Sequence, residues 1–135
     1  MLPHMLIPPV GAPPGFRFDI RPTATPDGVG TVRRLLRDAL VAVQLDPDTP
    51  CLLLSELLTN ALVHGGSASV IMELRAGCLL IAVADHSPAR VERLPECSER
   101  TGGRGLALVE ALADAWGVSP FGAGGKAVWA SVAAA

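Results

Sequence analysis

Leu52-Leu53-Leu54-Ser55-Glu56-Leu57-Leu58-Thr59-Asn60-Ala61-Leu62-Val63-His64 is the stretch on which the reading of this chain turns. Thr49-Pro50 before it supplies a cap followed by proline, and Gly65-Gly66 after it stops a helix. The spacing therefore predicts a helix from Thr49 to about His64. Positions four apart stack on one helix face, so Ser55, Glu56, Thr59 and Asn60 form a narrow polar stripe on an otherwise apolar rod. A solvated face and a polar pocket both satisfy that pattern. No lysine or arginine lies in the stripe, and short oxygen-bearing side chains suit a pocket.

Working outward, residues 1–15 carry Pro3, Pro8, Pro9, Pro13 and Pro14 and read as an irregular tail. Phe16 to Ile20 alternates as a first strand. Thr25-Pro26-Asp27 is a second cap, proline and acid signature. Val32, Leu35, Leu36, Ala39, Leu40 and Val43 then recur at helical spacing, with Arg33, Arg34, Arg37 and Asp38 opposite. Beyond the central helix, Val70, Met72 and Leu74 share one face of a strand over Ser69–Arg75. Leu79 to Ala84 is apolar throughout, and Ala76-Gly77 between the two has the length of a tight hairpin turn. Residues 86–104 show no periodicity and read as a long loop. A third helix is expected from Gly105 to about Trp116, and a closing hairpin from Val118–Phe121 and Lys126–Val132. The order β-α-α-β-β-loop-α-β-β predicts an α+β fold over residues 16–135. It is a two-layer sandwich with three helices on one face of a mostly antiparallel sheet.

The 135 residues suit a single domain, and half of them are hydrophobic, which argues against global disorder. A net charge of −2, from 11 basic and 13 acidic residues, is not the footprint of a direct nucleic-acid binder. Cys51, Cys78 and Cys97 form no CxxC pair and no metal-ligand spacing. Cys51 and Cys78 lie in apolar stretches and read as reduced core thiols. The start of the chain lacks a basic n-region, and the longest apolar run is too short for a bilayer. A cytoplasmic protein without membrane contact is expected.

Two further features carry chemistry. Asp85 ends an apolar strand, where a carboxylate either begins a turn or faces a ligand. Gly102-Gly103-Arg104-Gly105 precedes a helix start, whose free N–H groups favour phosphate; a hinge explains the glycines equally well.

Taken together, Glu56-x-x-x-Asn60-Ala-x-x-His64-Gly65, then Asp85, then Gly102-x-Arg104-Gly105-Leu106 resemble the three boxes of the GHKL ATPases. That superfamily shares the Bergerat, histidine kinase-like ATPase fold. Ser55-Glu56-Leu57-Leu58-Thr59-Asn60-Ala61 and the ending Gly125-Lys126-Ala127-Val128-Trp129-Ala130 look most like the anti-sigma-factor serine kinase branch. The resemblance spans roughly residues 16–134. It implies ATP and Mg²⁺ as cofactors, with Asn60 as the Mg²⁺ ligand and Glu56 as general base for an attacking hydroxyl. It implies that Asp85 accepts a hydrogen bond from the adenine amine. A carboxylate there repels the guanine carbonyl, and discrimination of that kind reaches ~10⁴-fold. Residues 89–104 would form a lid, with Gly103, Arg104 and Gly105 at its hinge and phosphate end and Leu106 in the same box. His64 would border the phosphates or interact with the helix dipole. One departure stands out. The family pattern Asp-x-Gly is here Asp85-His86-Ser87, so a Cβ and hydroxyl sit where the glycine belongs.

By resemblance the partners are a sigma factor and an anti-sigma antagonist phosphorylated on serine or threonine, and there is room for a homodimer. A non-catalytic, ATP-dependent binding module of the same fold is the alternative. A sensor histidine kinase fragment is a third reading, which lacks a phosphoacceptor-histidine helix pair ahead of the domain.

Overall fold

The structure, a computed structural model, describes residues 15–85, 101–121 and 125–133. The elements are β1 (Phe16–Ile20), α1 (Pro26–Ala42), α2 (Asp48–Gly65), β2 (Ala68–Arg75), β3 (Cys78–Asp85), α3 (Thr101–Leu112), β4 (Ala115–Phe121) and β5 (Gly125–Ala133). The proline-rich tail, Ser87 and most of the expected lid lie outside the described residues. The five strands form one sheet in the order β1-β2-β3-β5-β4, and every neighbouring pair is antiparallel.

Alternation along the strands decides which face is covered. Val70, Met72 and Leu74 sit opposite Val83, Ile81 and Leu79, and all six are buried. Phe16 and Phe18 extend that face from β1, opposite Leu74 and Met72. Val32, Leu36 and Leu40 of α1, Leu53, Leu54, Leu57, Leu58 and Ala61 of α2, and Val109 of α3 join the same apolar cluster. All three helices therefore cover one face, as the patterning predicts. Each fully buried leucine contributes roughly 1.5–3 kcal/mol, so this layer is the main source of stability. The other face carries Arg17, Glu73 and Arg75, with Glu73 3.5 Å from Arg17 and 3.2 Å from Arg75. The Arg75 side chain is 76 % exposed, so its pair with Glu73 contributes little.

Local chemistry sets most of the boundaries. Thr25 caps α1, its Oγ1 accepting from the Gly28 N–H at 3.1 Å, and Pro26 opens the helix. Ala76 and Gly77 both have positive φ, the signature of a type I′ hairpin turn between β2 and β3. The start of α2 differs from expectation. Thr49 lies inside the helix, and Pro47 is the N-cap without a side-chain cap bond. Asp46 takes over the local role, its Oδ1 accepting from the Asp48 N–H at 2.9 Å.

The largest correction concerns α3. It spans Thr101–Leu112, four residues earlier at each end than the expected helix, so residues 101–104 are helical and not loop. Trp116 belongs to β4, opposite Ala130. The shift follows from Asp114, which anchors the chain to β5: its N–H donates to the Ser131 carbonyl, and its Oδ2 accepts from the Ala133 N–H. A helix continued to residue 116 would give up both bonds.

The cysteines divide. Cys51 is buried, as expected, but Cys78 is exposed because the first residue of β3 falls in the outward phase. Burial pushes the Cys51 thiol up, against the lowering pull of Arg37 and Arg33. Thiolate is the reactive form, so in a Cys97→Ser background Cys78 is expected to label with a maleimide at least about tenfold faster than Cys51. Equal rates in the folded protein would contradict this burial pattern. No helix among the described residues is long and apolar enough to cross a membrane.

Candidate functional site

Helix α2 is the hub. It packs against α1 on one side and α3 on the other, and it touches β2, β3 and β5 below. With 3.6 residues per turn, its buried face runs through Leu53, Leu54, Leu57, Leu58 and Ala61. Glu56 and Asn60 flank one edge of that face, and Ser55 and Leu62 flank the other.

The polar stripe therefore splits. Ser55 turns toward α1, where the Arg33 Nη1 donates to its Oγ at 3.4 Å. Thr59 and Leu62 line a groove between α1 and α2, with Val29 and Arg33 on its far wall and a volume of about 530 Å³. An arginine does meet this stripe, supplied by another helix. Glu56 and Asn60, both half-buried, lie on the opposite edge of the buried face, away from Ser55 and the α1 groove. The two residues assigned to catalysis and metal binding thus share an edge, one turn apart, while Thr59 lines the groove and Ser55 meets Arg33.

Asp85 ends β3 in phase with Leu79, Ile81 and Val83, so its side chain lies on the helix-covered face. It is 2 % exposed and, among the described residues, the one charged side chain in the buried class. A solvent-facing turn carboxylate would not be. In the sheet it is flanked by Ala68 on β2 and Lys126 on β5. The Lys126 Nζ donates to Asp85 Oδ1 at 3.3 Å, with the two side chains 13 % and 3 % exposed. Sequence reasoning passes over Lys126 as a site residue. A signal exists: Lys126 alternates in phase with the core residues Val128 and Ala130, where a lysine is out of place without a partner.

The C-terminal end of α2 closes over Asp85. A Cβ on Gly65 would come within 2.7 Å of the Asp85 Cβ and 3.0 Å of its Cγ, so only glycine permits the approach. Gly66 then ends the helix in the left-handed conformation, φ 74°, its N–H returning to the Leu62 carbonyl. The helix that bears Glu56 and Asn60 thus ends in contact with the buried carboxylate. His64 belongs to the last turn of α2, and Gly103, Arg104, Gly105 and Leu106 fall in the first two turns of α3. The side chains of His64 and of residues 101–106 lie outside what the structure describes.

The residues fit a purine nucleotide with its metal. Asp85 offers a buried acceptor for a base, and Asn60 offers an amide oxygen on α2, a turn or so before Gly65. No group of three or more His, Cys, Asp or Glu side chains gathers among the described residues. Mg²⁺ in nucleotide sites needs no such cage, since it is held by one or two protein ligands plus phosphate oxygens and water.

An all-antiparallel sheet under three helices, with the central helix seated on a buried strand-end aspartate, defines the class of an ATPase domain of the histidine kinase type. The chain belongs to that family: the model of the histidine kinase-like ATPase domain matches residues 23–132. Among solved structures, the RsbU and RsbW domains of Rv1364c from Mycobacterium tuberculosis are similar in fold. The TM-score is 0.66 at 24 % identity, over 87 % of this chain and 32 % of that one. The chain thus spans about a third of that longer protein. No curated protein matches the sequence.

Proposed function

We propose that this domain binds Mg-ATP and acts as a switch of the anti-sigma-factor serine kinase type. In this role it holds a sigma factor in the cytoplasm and phosphorylates an antagonist protein on serine or threonine. The observation that carries the nucleotide reading is the buried strand-end Asp85, which packs against Gly65 at the end of the helix that carries Glu56 and Asn60. Family membership supports the ATP assignment, and the resemblance of the central helix supports the choice of branch.

The roles are those that the resemblance implies at the matching positions. Asn60 ligates Mg²⁺ through its amide oxygen, Glu56 orients the attacking hydroxyl and takes its proton, and Asp85 receives the base. Gly103, Arg104, Gly105 and Leu106 supply the phosphate end from the start of α3, where backbone N–H groups favour anions. His64 contributes at the phosphates from the end of α2.

Titration calorimetry with ATP, with and without Mg²⁺, tests the reading. The native chain should bind ATP more tightly with the metal, and Asn60→Ala should lose that metal dependence. Equal affinity for both proteins under both conditions would remove Asn60 from the metal site. If the native protein binds a partner only with ATP yet transfers no phosphate, the non-catalytic module is the correct reading.

A further inference from the structure

Lys126 stands beside the carboxylate that the nucleotide reading assigns to the base. It lies directly opposite Asp85 in the β3–β5 register, on the same covered face of the sheet, and its ammonium is 3.3 Å from Oδ1. We infer that Lys126 and Asp85 together read the edge of the base, and that the pair accepts guanine as well as adenine. The inference rests on the proposed nucleotide function and changes what that function selects.

An ionised carboxylate only accepts hydrogen bonds, and an ammonium only donates them. Adenine presents an amine donor at position 6 and an acceptor at N1. Guanine presents the reverse, a carbonyl acceptor at position 6 and an N–H donor at N1. A carboxylate alone matches adenine and opposes the guanine carbonyl, which is the basis for expecting strong selection of ATP. A carboxylate beside an ammonium matches both. With adenine, Asp85 accepts from the amine and Lys126 donates to N1. With guanine, Lys126 donates to the carbonyl and Asp85 accepts from N1–H. The flexible four-carbon stem of lysine lets the ammonium follow either arrangement. The Asp85–Lys126 pair thus converts a one-way reader into a two-way reader.

The test is titration of the full chain with Mg-ATP and Mg-GTP. Native protein is expected to bind GTP within about tenfold of ATP. Lys126→Met removes the donor and is expected to weaken GTP relative to ATP by on the order of 100-fold or more, toward the range that polar mismatch reaches in built sites. Lys126→Gln keeps an N–H donor without the charge and should leave the ratio within a few fold of native, by the same donor logic. Because loss of a buried partner can unfold the chain, each variant is checked by thermal melting, and the native and Lys126→Gln ratios decide if Lys126→Met does not fold. Native protein that binds ATP and rejects GTP by more than about 100-fold overturns the inference and leaves the ATP reading standing. So does a Lys126→Met protein that loses both nucleotides equally. Binding of neither nucleotide by native protein overturns the ATP reading, and the role of Lys126 with it.

Discussion

Glu56→Ala is expected to bind Mg-ATP as the native chain does and to phosphorylate the antagonist about 10²–10⁴-fold more slowly, the usual cost of losing a general base. Glu56 lies half-buried one turn before Asn60, on the edge of α2 turned away from α1. A metal held at Asn60 would bring the terminal phosphate to that edge, and the incoming hydroxyl would meet it beside the carboxylate. Ser55→Ala is the matched control, since Ser55 lies toward Arg33 and the α1 groove. It should leave transfer within about threefold of native, because exposed contacts of this kind contribute little. Single-turnover transfer from radiolabelled ATP measures both. A Glu56→Ala protein that transfers at the native rate ends the catalytic assignment, while family and fold stand.

The second large effect is on stability. Gly65→Val forces three carbon atoms into the contact between α2 and Asp85, where even one would lie 2.7 Å from the Asp85 Cβ. Overpacking of this kind costs typically 1–3 kcal/mol, and valine, a poor helix former, recovers little of it. We expect a loss of about 3 kcal/mol and a fall in Tm of roughly 10 °C. Gly65→Ala should lose less, because alanine returns up to about 1 kcal/mol in helix preference. Gly66→Ala separates strain from crowding. Its φ is 74° and nothing lies within 4 Å of the added carbon, so the cost is the left-handed backbone alone, about 1–2 kcal/mol. Thermal melts of the three variants order these effects. A Gly65→Val protein as stable as native would mean that α2 does not close over Asp85 this tightly.

These cases also mark what was legible in the sequence. The α1 cap, the β2–β3 hairpin and the buried face of α2 are local patterns, in which each residue's neighbours in sequence decide its environment. They read correctly. Glu56, Asn60 and Asp85 were legible as candidates because one helical turn and one strand end carry them. The errors arose where distant segments decide. Ser55 reads as part of one stripe until Arg33 arrives from α1. Gly102 and Gly103 suggest loop, yet α3 begins at Thr101 and is packed against α2. Cys78 sits in an apolar run, but alternation against β2 and β5 turns it outward. Lys126 acquires meaning only from Asp85, which lies on another strand.

The placement of β5 between β3 and β4 has a consequence for the order of assembly. Asp85 and Lys126 are separated by 41 positions in the chain. When the chain has grown only as far as β3, that strand has β2 on one side and an open hydrogen-bonding edge on the other. The edge closes only when β5 pairs with it, and closing so long a loop carries an entropic cost that local hairpins escape. The first two helices and the first three strands can therefore collapse before Asp85 and Lys126 meet. The Asp85–Lys126 contact is therefore expected to form late, after the local hairpin of β2 and β3.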